Sequence, residues 1–198
     1  MIGELTPLQL KRKESILKSA MDIFSKAGFH NADLDQIAAN AGVGKGTIYR
    51  YFKNKKDLYL NTLEYAIEEF YEFLLNTLKE AKDFNKFIYD YIYYSLEFNC
   101  KNYSVYKIIL SSSSDVLSGV IEVVEKVQKR YNKFFFERIE EAIENDIVAP
   151  VNPVLFLKSL NGSITILINH IYQEKLEEFS EVTNSIYHFF MYGILKRS

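Results

Sequence analysis

Apolar residues recur along this chain at intervals of three and four, the spacing that lays one stripe down the side of a helix. From Lys11 to Ala27 the stripe is Ile16, Ala20 and Phe24, with Leu17 and Met21 beside it. Gly28 follows, suited to a left-handed helix end, and Phe29 is placed to close that end hydrophobically. After a polar link, His30-Asn31-Ala32, Asp33 is expected to cap a second helix, with Gln36 completing a variant of the capping box. Leu34, Ile37, Ala38 and Ala41 give this helix a small-residue face for close packing. Gly42 ends it, Val43 tucks inward, and Gly44 opens a third helix running through Phe52. Two short helices joined by a tight, glycine-containing turn are the pattern of a helix-turn-helix.

The same periodicity predicts a fourth helix from Asn54 to about Lys82, carrying Leu58, Leu63, Phe70, Leu74 and Leu78. Helices near 84–98 and 103–113 follow, then a long one over about 115–145 with Val116, Val120, Val123, Val127, Tyr131, Phe134 and Ile139. Pro150 and Pro153 interrupt the pattern before two more apolar helices, about 153–174 and 178–196. No internal repeat and no convincing strand pair is read; the β-branched run Ile164 to Ile171 fits a buried helix better. The expected architecture is all-α with about nine helices. An N-terminal three-helix domain over 1–54 carries the helix-turn-helix, and a helical bundle occupies 55–198.

Composition narrows the class. Of the 198 residues 48% are apolar, with 15 Tyr, 15 Phe and no Trp, too apolar for a disordered chain. Eight Gly and three Pro are too few for the frequent turns of an all-β fold. The single cysteine, Cys100, excludes an intramolecular disulfide and a cysteine-based metal cluster, and fits a reducing cytoplasm. No secretory signal is read at the start. The apolar stretch Val151 to Tyr172 is broken by Lys158, Asn161, Asn169 and His170, so it reads as a buried or interface helix and no membrane partner is expected.

The overall charge of −2 argues for nothing, but its distribution does. Residues 1–60 hold ten Lys/Arg and six Asp/Glu, a balance of +4, which leaves fourteen basic and twenty acidic residues beyond them, a balance of −6. A basic head on an acidic body points the head toward a polyanion.

On a helical wheel Ile48 and Phe52 of the third helix face the core, Gly46, Thr47 and Arg50 face away, and Tyr49 lies at the flank. The outward groups suit a DNA major groove: Arg hydrogen-bonds guanine bidentately, and Thr contacts a base edge or a thymine methyl. Gly46 permits close approach, and Lys45 at the helix start suits a phosphate. Lys55 and Lys56 stand in the first turn of the fourth helix, where the macrodipole disfavours cations by roughly 0.3–1 kcal/mol each. Asp57 offsets this only in part, so the placement makes better sense beside a phosphate.

The run Ala20, Phe24, Gly28, Phe29, followed by IAANAGVGKGTIYRYFKNKKDL from Ile37 to Leu58, resembles the N-terminal domain of the TetR family. The resemblance covers about 40 residues; later helices resemble the family only in number, length and order. It implies DNA contacts from Lys45, Gly46 and Thr47, phosphate contacts from Tyr49 and Tyr51, and a phosphate clamp at Lys55; Arg50 stands at a position that varies in the family. Two departures stand out. Asp33 and Leu34 occupy the stretch where the family often has a phosphate-contacting Thr, and Gly44 stands where it tends to have Ser.

Other signals read as structural. Gly42 to Thr47, GVGKGT, lacks the spacing and the preceding strand of a phosphate-binding loop. His170 and Glu174 are two metal-ligand types at i,i+4 without further partners, and no metal or cofactor is expected. Ser111 to Ser114 reads as a helix break with a cap, with no nucleophile elbow, and no enzymatic activity is expected.

Together these readings predict a ligand-responsive transcriptional regulator, a repressor, binding a palindromic double-stranded operator as a homodimer. Its last two helices, with the small residues Ser159, Gly162, Ser163 and Gly193, are expected to form the dimer interface. By analogy with the family, a small, largely apolar effector is expected in the aromatic-rich body, against Tyr91, Tyr94, Phe98, Tyr131, Phe135 and Asn169.

Overall fold

The computed structural model describes residues 5–110, 113–175 and 178–193. Among them stand nine helices and no strand: α1 (Pro7–Asn31), α2 (Leu34–Asn40), α3 (Lys45–Tyr51), α4 (Lys55–Leu78), α5 (Phe84–Lys101), α6 (Tyr103–Leu110), α7 (Ser114–Glu144), α8 (Pro153–Glu174) and α9 (Ser180–Tyr192). The all-α expectation holds, and each predicted helix is present. The chain divides into two compact units, Met1–Glu69 with Ser104–Val127, and Phe70–Tyr103 with Gln128–Ser198. Residues of α4 and of α7 therefore belong to both units.

The first unit is built on α1. Thr6 caps it through a capping box with Gln9, and Pro7 fills the first helical position, so the helix starts four residues before Lys11, where the periodic pattern begins. Gly28 breaks it at φ 73°, a backbone that disfavours side chains, and one further turn runs through Asn31 where the sequence suggested a link. Ile16, Ala20 and Phe24 are fully buried, as are Ile37 of α2, Leu58 and Leu63 of α4; burial of each large side chain stabilises the fold by about 1.5–3 kcal/mol. The buried Ser19 hydroxyl donates to the Ile37 carbonyl oxygen at 2.9 Å, fastening α1 to α2. Further along, the Tyr59 ring packs edge-on against Phe24 at 4.9 Å, and its hydroxyl donates to the Ile108 carbonyl oxygen of α6 at 2.8 Å.

The second unit is an aromatic core. Tyr91 of α5 packs edge-on against Phe135 of α7 at 5.1 Å, and Tyr71 of α4 stacks on Tyr131 at 5.3 Å. From α8 the buried stripe is Leu157, Leu160, Ile164, Ile168 and Ile171. That helix is long and apolar enough, by length and composition alone, to cross a membrane. One buried stripe beside an exposed opposite side is the pattern of a helix packed on a protein core.

Candidate nucleic-acid interface

The recognition surface follows from how α2 and α3 are held. Asp33 caps α2, its carboxylate accepting from the Asp35 N–H at 2.8 Å. Gly42, at φ 68°, makes the turn, and the Val43 N–H returns to the Ala38 carbonyl oxygen at 3.0 Å. Behind α3, Ile48 and Phe52 are each 1% exposed and fix which side faces out. That outer side carries Lys45, Gly46, Tyr49 and Arg50, all exposed, with Thr47 half-buried among them. A Cβ built on Gly46 would meet nothing within 4 Å, so this stretch of α3 is open to a close visitor.

The polar groups on this side are already organised. The Arg50 guanidinium donates to the Thr47 hydroxyl at 3.0 Å, joining the two residues expected to read base edges. Tyr49 is 50% exposed, and Tyr51 is half-buried with its ring against Phe52 at 6.3 Å. Lys45 Nζ lies 2.8 Å from Asp35 Oδ2, and this hydrogen bond raises the lysine pKa above its ordinary value. Lys55 donates to the His30 carbonyl oxygen at 2.8 Å and sits 5.5 Å from the centre of the Phe29 ring; burial pushes its pKa down. Lys56 donates to the Asp115 carbonyl oxygen of α7 at 2.8 Å.

Two features here escaped sequence reasoning. Asn54 accepts from the Asp57 N–H and Asp57 from the Lys53 N–H, both at 2.8 Å, so Asp57 is engaged in closing the start of α4. An N-cap followed three residues on by an acid was the signal available for this. The Asp35–Lys45 pair had none, because ten residues and a turn separate its members.

Of the six residues expected to line an effector site, five belong to one aromatic network, in which Phe70 joins Tyr71 to Phe98, and Asn169 stands in a second group. Tyr91 and Phe135 join Tyr71 and Tyr131 in the core, and Tyr91 donates to Asn161 Oδ1 at 2.5 Å. Tyr94 and Phe98 pack against Phe73, at 6.1 and 5.1 Å. Asn169 accepts from the Tyr103 hydroxyl at 2.9 Å, beside the stacked pair Tyr103 and Tyr172. A cavity of about 230 Å³ opens between α7 and α8, lined among others by Gln128, Asn132, Leu157, Lys158, Asn161 and Thr165. None of the six belongs to its lining. Its polar lining differs from the largely apolar site the family analogy suggests. Among the described residues no group of three or more His, Cys, Asp or Glu is placed to hold a metal ion.

Comparison with known proteins gives this geometry a context. Residues 16–62 match the family model described as bacterial regulatory proteins, tetR family. The chain is 26% identical over 148 residues to the uncharacterized HTH-type transcriptional regulator YhgD of Bacillus subtilis (strain 168), an alignment spanning 75% of this chain and 78% of that protein. Among solved structures, the fatty acid degradation regulator FadR from Bacillus halodurans superposes with a TM-score of 0.82 at 18% identity, covering 98% of this chain and 100% of that one. FadR from Bacillus subtilis, solved in complex with stearoyl-CoA, superposes with a TM-score of 0.77 at 20% identity, covering 92% and 99%. Likeness at such identities is a likeness of fold.

Proposed function

The chain belongs to the tetR family of bacterial regulatory proteins through its N-terminal domain, and on that premise we propose that it is a ligand-responsive, cytoplasmic transcriptional repressor. It binds a palindromic operator as a homodimer and has no catalytic role. The observation that carries this reading is the outward side of α3, where Lys45, Gly46, Tyr49 and Arg50 are exposed in front of the buried Ile48 and Phe52. Thr47 and Arg50 serve base edges; Lys45, Tyr49, Tyr51 and Lys55 serve phosphates. Residues 1–54 act as the DNA-binding domain and 55–198 as the effector and dimerisation domain.

One recognition helix reads too few base pairs for useful discrimination, whereas two, one DNA turn (~34–36 Å) apart, read an inverted repeat. Support for a dimer comes from α8 and α9, where Val154, Leu155, Ile166, Phe189 and Tyr192 leave large apolar side chains exposed. Ile166 is 74% exposed, and Gly162 has open space where a Cβ would stand. Apolar exposure of this kind, beside small residues, fits a helix-to-helix interface.

The stearoyl-CoA of the Bacillus subtilis neighbour makes long-chain acyl thioesters the first effector class to test. The 230 Å³ cavity is smaller than the ~300–1,000 Å³ typical of ligand pockets, so a long chain must displace aromatic rings of the core. Displacement that moves α4 alters the spacing of the recognition helices, and a coupling of ~1–3 kcal/mol weakens operator binding by about 5–150-fold. The filled aromatic core favours a second reading, a DNA-binding protein without an effector. Selection from random duplexes, followed by footprinting with and without acyl-CoA, tests both. An inverted repeat released by acyl-CoA is expected; no consensus would overturn the regulator, and a consensus bound equally with every effector tried would favour the second reading.

A further inference from the structure

We infer that Asp35 sets how tightly the head grips DNA, by competing with phosphate for Lys45. This rests on the DNA-binding reading proposed above.

Lys45 opens the recognition helix, where a backbone phosphate has to be met, yet its ammonium already lies 2.8 Å from the Asp35 carboxylate. The other two lysines of this surface differ: Lys55 and Lys56 each donate to a backbone carbonyl oxygen, a neutral partner. The backbone of Asp35 is fixed by the helix start. The residue stands in the first turn of α2, where carboxylates are favoured, and its N–H is bound by the capping Asp33. The Lys45 and Asp35 side chains are 46% and 64% exposed, so the pair is within reach of a ligand and weak enough to be opened. A phosphate that takes Lys45 therefore gives up a made ion pair for a new one, and leaves the Asp35 charge beside the DNA. Phosphate contacts carry no sequence information, so the penalty falls alike on operator and unrelated DNA. Its effect is to hold absolute affinity down, in a range where an effector's modest coupling suffices for release.

The test is a double-mutant cycle read by DNA-binding anisotropy on operator and shuffled duplexes across a salt series. Asp35→Asn keeps the shape of the side chain and leaves the Asp33 cap in place; thermal melting confirms that the variant is folded. It is expected to tighten binding by about 2–10-fold on both duplexes and to steepen the salt slope by about one. In a Lys45→Gln background that gain is expected to vanish, and a matched loss of charge at the exposed Glu140, Glu140→Gln, is expected to change affinity less than about 1.5-fold. Unchanged or weaker binding by Asp35→Asn overturns the inference, as does a gain that persists without Lys45 or is matched by Glu140→Gln. A wild-type protein that binds no duplex at all overturns the function, and this inference with it; a wild type that binds while Asp35→Asn changes nothing overturns the inference alone.

Discussion

The Tyr91 hydroxyl donates to Asn161 Oδ1 at 2.5 Å, joining α5 to α8 across 70 residues of sequence. The two partners stand in different surroundings. Tyr91 is 1% exposed, whereas Asn161 lines the cavity between α7 and α8. Removing one partner of a buried hydrogen bond costs about 1–3 kcal/mol when the other is left unsatisfied. Tyr91→Phe leaves an amide that water in the cavity can serve, so its cost is expected near ~1 kcal/mol. Asn161→Leu strands a buried phenol and is expected to cost nearer ~3 kcal/mol. Urea unfolding of both variants checks the order; equal losses would show that the cavity does not hydrate Asn161.

A second close approach lies in the first unit. A Cβ on Gly119 of α7 would come 2.8 Å from Cδ1 of Leu60 on α4. Alanine there gains roughly 1 kcal/mol of helix propensity over glycine, while the flexible end of Leu60 has to turn aside. Gly119→Ala is therefore expected to stay within about 1 kcal/mol of wild type, and Gly119→Leu to lose ~1–3 kcal/mol by overpacking. Denaturant midpoints decide between them; a Gly119→Leu protein as stable as the wild type would mean that the two helices part easily.

Alkaline pH gives a third prediction. Burial pushes the Tyr71 hydroxyl up from 10.0 to about 12. A group with a raised folded-state pKa contributes stability that is fully present below its unfolded value and is lost as pH rises through its folded value. Stability is therefore expected to fall between about pH 10 and 12, by up to about 3 kcal/mol from this residue. Tyr71→Phe is expected to flatten that fall in urea midpoints measured across the range. An unaltered profile would assign the loss to other tyrosines.

Contacts on α3 are expected to sort by type. Tyr49→Ala removes an exposed phenol assigned to phosphate, so affinity drops on every sequence and the ranking of sequences stays the same. Thr47→Ala removes a group assigned to a base edge, so preference at one position relaxes, by ~1–3 kcal/mol of discrimination. Binding of both variants to a panel of single-base operator changes checks this. A uniform loss from both would show the assignment to be wrong.

Local rules made much of this protein legible. Ile48 and Phe52 recur at the helical interval, and that alone places both in the core and turns Lys45, Gly46 and Arg50 outward. Gly28 and Gly42 mark turns because their positive φ excludes most side chains. Where partners are remote in sequence, periodicity is silent. It does not pair Asp35 with Lys45, nor Tyr91 with Asn161, nor bring the hydroxyl of Tyr59 to the carbonyl of Ile108. Periodicity is silent on the start of α1 for another reason: Thr6 and Pro7 open the helix before its apolar stripe begins, so capping rather than hydrophobic period sets the boundary. The aromatic residues of α5 and α7 read equally as core or as pocket wall, because both need apolar side chains at helical spacing.

Whether the head binds DNA by sequence is read out by fluorescence anisotropy. The purified protein is titrated onto DNA flanking its own gene and onto a shuffled duplex across a salt series. Binding to the native fragment is expected to be at least ~10³-fold tighter than to the shuffled one, weakening steeply as salt rises. Equal, weak binding to the two duplexes, repeated on the sequence recovered by selection, would contradict recognition by sequence.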